Sequence, residues 1–469
     1  MARINTNIAA IRAIAQLGKN NRDLQVRLER LSTGLRINRG KDDPAGLIAS
    51  EALRAGIRSI GQAIINSNRA INVISTAEGA LNEVSALLLD IRGLLQASAN
   101  EGALTVEETD ANQLEIDSIL ASIDRVANTT EFGGKKLLNG SLGYNLSSVD
   151  QTKLASIETF SARVPEGAAA NVVVQVTASA ETGELAYVGT ALASAVTFEL
   201  AGRNGAEILT FASGTTISDV AAGINSVQGI TGVSATLSVG GIRLNTVEFG
   251  SAQFVSVKSL AGNFVANAGA TSIDEGVDVS ALVNGQIAKT AGLRVDIRTA
   301  GLDARLRLTE SFGTQISSTT YNITGGGATF QIAPEISAAG QISLGLNSVS
   351  TGNLGNNVIG FLNSLRSGGA NEIGSGNFSA AGRVIDEAIL QIAQMRGRLG
   401  GAQKNQIETN INSQQVALEN VQASESVIRD ADMAFEISAL TRAQILVQST
   451  QLTLQIAIQQ PQAVLALLG

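Results

Sequence analysis

Asp42 and Asp43 stand side by side before Pro44, and Asp430 and Asp432 flank Ala431. Paired carboxylates could pass a proton or hold Mg²⁺ or Ca²⁺. Neighbouring acids point in different directions, so a turn or helix-capping role is the stronger expectation for both pairs. The 469 residues include no His and no Cys. Their absence removes thiolate and imidazole metal sites, the Cys and His nucleophile pairs, and any histidine proton shuttle. Gly325, Gly326 and Gly327 could suggest a phosphate loop, but no GxxxxGK[ST] string occurs and strand-like sequence follows them. The middle of the chain offers no convergent nucleophile, base or metal set. The expectation is a protein that is not an enzyme and takes no cofactor.

The net charge of −8 argues against a general nucleic-acid binder. Apolar residues reach 44% but aromatics only 3%, so cores must be built from Ala, Leu, Ile and Val, which suits helix bundles better than a ring-lined pocket. No apolar run of about 18 residues occurs, so no membrane-spanning helix is expected. The first residues lack an apolar h-region and a small-residue cleavage site, and are not read as a cleaved secretory signal. A protein leaving the cell with this sequence would use another export route, and the lack of Cys fits one that needs no disulfide.

The elements that would carry any function divide into three. Near the start, Ile8, Ile11, Leu24, Leu28, Leu31 and Leu35 recur at helical spacing. Gly40, Pro44 and Gly46 break the pattern. A second seam follows through Ile57, Ile60, Ile64, Ile71, Ile74, Leu81, Val84, Leu88, Ile91 and Leu95. It predicts a helix about 60 Å long. Glu101 to Thr105 reads as a turn, then Ile116, Ile119, Ile123 and Val126 form a shorter seam, closed by Phe132, Gly133 and Gly134. The C-terminal end mirrors this layout. Ile385, Ile389, Ile392, Met395 and Leu399 form one stripe, continued by Ile407, Ile411, Leu418, Val421 and Ile428. The final stretch sets Ile437, Leu440, Val447, Leu454, Ile458, Leu465 and Leu468 among Gln444, Gln448, Gln451 and Gln455. Between the ends, roughly Ser141 to Ser350, Gly, Thr, Val and Ser alternate like strands. The fold class expected is mainly α at both ends, as a long antiparallel helical bundle or coiled coil, with a β-rich central outer domain.

Four strings resemble bacterial flagellin: ERLSTGLRINRGKDDPAGLIAS (29–50), EGALNE (78–83), FGGKKLLNG (132–140) and SESVIRDADMAFEISALTRAQILVQ (424–448). Residues 196–257 resemble the flagellin hook IN motif, a strand pair, then a helix carrying Ile224 and Asn225, then strands. Ser218 or Asp219 is expected near the start of that helix, and 293–309 alternates as a further strand region. The resemblance implies an inner coiled-coil domain from 1–40 and 431–469. It implies a helical outer core from 41–160 and 326–430, around a surface-exposed variable domain, 161–325. It also implies a subunit exported unfolded and polymerised into the flagellar filament, with a hook–filament junction protein as the alternative. Its partners would be further copies of itself, an export chaperone, and cap or junction proteins, with no nucleic acid and no membrane. Leu24, Leu28, Leu31, Leu35, Ile437, Leu440, Val447, Leu454 and Ile458 are expected to carry polymerisation.

Many flagellins are detected by an animal innate receptor at the helix patch after the EGALNE run. Here that patch reads LDIRGLLQ, Leu89 to Gln96. It keeps Arg92 and Leu94 but has Asp90 where Arg is expected and Gly93 where Glu is expected. Weak recognition is the expectation.

Overall fold

The computed structural model describes residues 6–100, 102, 104–164, 168–262, 264, 273–299 and 301–466, with side chains to 459 in the last helix. Glu101 and Ala103 of the expected turn, Leu468, and the Leu465 side chain lie outside them. Helical ends flank a β-rich centre. The helices are α1 (Ile8–Thr33), α2 (Pro44–Ser98), α3 (Val106–Thr129), the short α4 (Ile217–Ser226), α5 (Gln228–Thr231) and α6 (Glu310–Gly313), then α7 (Phe378–Ala402), α8 (Thr409–Arg429) and α9 (Met433–Ala466). The chain forms two compact units. One contains Met1–Asn68, Ile332–Glu335 and Ile407–Gly469; the other contains Arg69–Gln331 and Ile336–Gln406.

In the first unit, local chemistry sets where helices start and stop. The Asn7 side chain accepts from the Ala10 N–H at 3.0 Å and caps α1. Gly34 ends it at φ +73°, a left-handed stop. Leu35 therefore does not continue the helical face that its spacing suggests; it is extended and bridges to Asp430. The acidic pairs are turn and cap residues. Asp42 accepts the N–H groups of Arg39 and Asn38 at 2.9 and 3.2 Å, and that first bond above all holds its carboxyl below the usual range. Asp43 accepts from Gly46 at 2.9 Å. A Cβ at Gly46 would crowd the ends of the Asp43 and Ile37 side chains, so a larger residue there requires both to shift. Asp432 accepts from the Ala434 and Phe435 N–H groups at 2.9 and 3.0 Å and opens α9.

The α2 seam has more positions than its large residues indicate. Ile60, Ala63, Ser67, Ala70, Ile74, Ala77, Leu81, Val84, Leu88, Ile91 and Leu95 are buried in steps of three and four, while Ile57, Ile64 and Ile71 sit half-buried beside them. The helix has 55 residues, a length of about 80 Å.

In the second unit, α3 opens with a capping box, Thr105 with Glu108, and buries Gln113, Ile116, Leu120, Ile123 and Ala127. That face is rotated from the expected one, leaving Ile119 and Val126 half-buried. Gly133 and Gly134, at φ +59° and +80°, turn the hairpin that follows α3.

All the named strand pairs are antiparallel. One β core lies between a sheet containing Ala170–Ala178 and Ser318–Gly326 and a sheet containing Leu154–Ala162, Arg294–Arg298 and Leu302–Leu308. Strands therefore form within 293–309, as the alternation predicts. Tyr321 sits fully buried in that core, and its hydroxyl has no hydrogen-bond partner among the described residues. Burial pushes its phenol upward. An unmet buried donor costs about 1–3 kcal/mol. Tyr321→Phe should raise stability by about 1 kcal/mol in chemical unfolding; a loss would contradict the assignment.

The second β core holds the expected strand pair, Val196–Gly202 with Gly205–Phe211, then α4, then Val233–Ser238 and Gly241–Thr246. Ser218 and Asp219 stand in the first turn of α4, as expected near its start, and Thr216 caps it, accepting from the Asp219 N–H at 3.3 Å. Asn225 bonds the edge strand through both amide atoms, to Ala235 O at 3.0 Å and from Ala235 N–H at 2.7 Å. Tyr187, Phe264 and Phe198 stack with centroids 4.8 and 4.3 Å apart.

Candidate assembly surface

The helices α1 and α9 run antiparallel. The Asn7 amide donates to the Ala457 carbonyl at 2.6 Å. The Asn20 amide donates to Thr450 Oγ1 at 2.7 Å and to the Leu446 carbonyl at 3.3 Å. Arg27 and Arg30 reach Glu436 at 3.0 and 3.1 Å. Beyond the helix ends, Arg36 N–H donates to the Arg429 carbonyl at 2.7 Å and Ala431 N–H to that of Gly34 at 2.9 Å.

The seam between them follows a heptad in each helix. On α1 the buried or half-buried line is Ala10, Ala13, Leu17, Asn20, Leu24, Arg27 and Leu31. On α9 it is Glu436, Leu440, Ala443, Val447, Thr450, Leu454 and Ala457. Of the sequence-derived contact residues, Val447 is buried; Leu24, Leu31, Leu440 and Leu454 are half-buried in this line; Leu35 is half-buried beyond α1. Leu28, Ile437 and Ile458 are exposed. Reading large apolar residues alone misses the alternate positions, which are Ala, Asn, Arg, Glu and Thr. Their signal is the seven-residue spacing of 13–20–27 and 436–443–450–457.

Glu436 is almost fully buried. Burial works against its charge, but the hydrogen bonds from Arg27 and Arg30 outweigh it and hold the carboxyl below the usual glutamate range. The same bond to Glu436 raises Arg27.

The opposite side of α9 is also apolar. Ile445, Leu452 and Ile456 are 60%, 60% and 61% exposed. At 100° per residue they lie roughly 180° around the helix from the seam. Phe435, Ile437 and Leu446 add exposed apolar area between. On α1, Ile8, Ile11 and Ile14 are exposed as well. A helix with apolar stripes on two opposite sides requires burial on both, and α1 covers only one.

The pattern for the bacterial flagellin N-terminal helical region matches residues 4–142. That for the C-terminal helical region matches 383–468, and that for the flagellin hook IN motif matches 197–248. A flagellin of Clostridium tyrobutyricum is 30% identical over 98% of this chain and 100% of its own. The chain belongs to the bacterial flagellins. Polar flagellin B/D of Vibrio parahaemolyticus is 30% identical over 99% of each chain, and flagellin B of Helicobacter pylori is 29% identical over 95% of this chain and 96% of its own. As a flagellin the chain is a structural subunit of the flagellar filament; relatives of this kind do not favour the junction-protein alternative. The flagellin N-terminal match ends just past the Gly133–Gly134 hairpin, and the IN-motif match spans the strand pair, α4 and the strands after it.

The stretch expected to form the receptor patch lies on α2 in the second unit. Asp90, Arg92 and Gly93 are exposed and Leu94 is half-buried. Arg92 pairs with Asp386 of α7 at 2.6 Å.

Proposed function

We propose that this flagellin polymerises through its paired terminal helices, using the far face of α9 and the exposed isoleucines of α1 as the contact with neighbouring subunits. The second, exposed apolar stripe of α9, Ile445, Leu452 and Ile456, carries this reading. Open helical filaments need a heterologous contact that does not close on itself, and a stripe on a helix already occupied on its other side provides one. In this reading residues 1–40 with 431–469 form the inner coiled-coil domain. Residues 41–160 with 326–430 form the helical outer core, and 161–325 face outward. The subunit leaves the cell unfolded, with an export chaperone, and adds beneath cap proteins to an extracellular filament beyond the junction. It works by packing and not by catalysis, and it engages neither nucleic acid nor membrane. Cysteine-free composition supports passage as an unfolded thread, since no disulfide must be undone. Electron microscopy of purified protein tests the assembly claim: long tubes are expected, and folded protein that never polymerises would overturn it.

The animal receptor is a weak partner in this reading. Asp90 inverts a charge on an exposed face, Gly93 removes a side chain there, and Arg92 is shared with Asp386. A reporter-cell assay should record weak activation by the purified subunit; full potency would refute it.

A further inference from the structure

We infer that the buried polar contacts Asn20–Thr450 and Arg27/Arg30–Glu436 select the register of the α1–α9 pair, which its apolar contacts leave ambiguous.

The ambiguity follows from the heptads. Asn20 sits between Leu446 and Thr450. Counting seam positions outward from there, in opposite directions along two antiparallel helices, sets Leu24 beside Ala443 and Leu17 beside Thr450. In this register each α1 leucine meets a small or polar residue, and Leu440, Val447 and Leu454 meet Arg27, Asn20 and Ala13. Slide one helix by seven residues and the size pattern survives. Leu17 then meets Ala443 in one direction or Ala457 in the other, and Leu31 meets Ala443 in the second. Large still faces small throughout, so shape complementarity does not separate the three registers.

The polar contacts do separate them. A seven-residue slide puts Ala443 or Ala457 where Thr450 was, and Asn20 loses the Thr450 hydroxyl. Glu436 moves toward Asn20 and Asp23 in one direction, and past the end of α1 at Gly34 in the other. Either way a nearly buried carboxylate loses both arginines. Removing one partner of a buried ion pair is far more costly than replacing the whole pair by apolar groups. A buried polar residue in a coiled-coil seam fixes register by this means.

The absence of cysteine makes the test clean. Ala443→Cys is combined in the full-length chain with Leu17→Cys, Leu24→Cys or Leu31→Cys. Neighbouring positions of one heptad series are about 10.5 Å apart along a helix, beyond the reach of a disulfide. With the polar residues in place, only the 24–443 pair should oxidise. The seam is then made apolar with Asn20→Leu, Thr450→Val, Arg27→Leu, Arg30→Leu and Glu436→Leu. The 17–443 and 31–443 pairs should now form beside 24–443, which the backbone bonds of Arg36 with Arg429 and Ala431 with Gly34 still favour. A second variant, Asn20→Leu with Thr450→Val, keeps the ion contacts and should still give mainly 24–443. Continued exclusive 24–443 oxidation in the apolar seam would overturn the inference, because packing or the backbone bonds beyond the helix ends would then set the register. Loss of all three crosslinks would overturn it too, because the polar groups would then hold the pair together instead of aligning it. This deepens the assembly reading but fails separately from it: crosslinks read register within one subunit, and polymerisation reads contacts between subunits.

Discussion

Ile445→Asp will leave a folded subunit that does not polymerise. Ile445 is 60% exposed on the side of α9 away from α1, so a carboxylate there disturbs no contact within the chain. Between subunits it would be buried without a partner, which costs at least about 3 kcal/mol. Since 1.4 kcal/mol is a factor of ten, the concentration needed for assembly should rise about a hundredfold or more. Leu440→Asp and Val447→Asp should also block assembly, by a different route. Val447 is buried in the seam and Leu440 half-buried, so those variants separate α1 from α9 first. In all three the central β cores should stay folded, since they belong to the other compact unit. Sedimentation of polymer, with circular dichroism of the soluble fraction, distinguishes the two routes. Normal filaments from Ile445→Asp would remove the far face of α9 from the contact.

Replacing Arg27 and Arg30 together by alanine should have the largest effect on the terminal pair itself. It leaves the nearly buried Glu436 carboxylate without either cation, a loss of about 3–5 kcal/mol. The same contact sets an acid limit. The folded Glu436 carboxyl lies below its ordinary value. Its contribution is therefore fully present above the unfolded glutamate value, about 4.3, and is lost as pH falls through the lower folded value. Acid below about pH 4 should loosen α1 from α9. Asp42 also lies below its ordinary value, through the backbone bond from Arg39, so acid acts on the 38–46 turn as well. Glu436→Gln isolates the seam: its helical signal should change less between pH 5 and pH 3 than that of the unaltered chain. Identical acid profiles would assign the effect to groups outside the seam.

Much of this architecture is legible in the chain. The positions of Ile60, Ile74, Leu81, Leu88 and Leu95 mark the long helix, and the INRGKDDPAG break falls where Gly34 stops one helix and Pro44 starts the next. What escapes is the part of each seam made from small or polar side chains. Ala63, Ala70 and Ala77 are as buried as the leucines around them, but alanine is common on every helix face and does not announce a side. The rotated face of α3 has the same cause: Gln113 and Ala127 belong to its buried line, and Ile119 does not. At the assembly surface the difficulty is sharper. An α9 with apolar residues on opposite sides has no single preferred face by composition, so Ile437 and Ile458 read as seam residues although both are exposed. Glu436 and Thr450 reveal their place only by standing seven residues from Ala443, a regularity that becomes decisive once α1 is known to lie alongside. Leu35 shows how one glycine overrides periodicity, because the left-handed turn at Gly34 ends the helix before the next apolar position is reached.

A filament reconstruction at side-chain resolution tests the central claim most directly. The account predicts Ile445, Leu452 and Ile456 buried against neighbouring subunits, with Asn20–Thr450 and Arg27/Arg30–Glu436 kept within each subunit. A filament in which that face of α9 borders solvent, while subunits meet elsewhere, would contradict it.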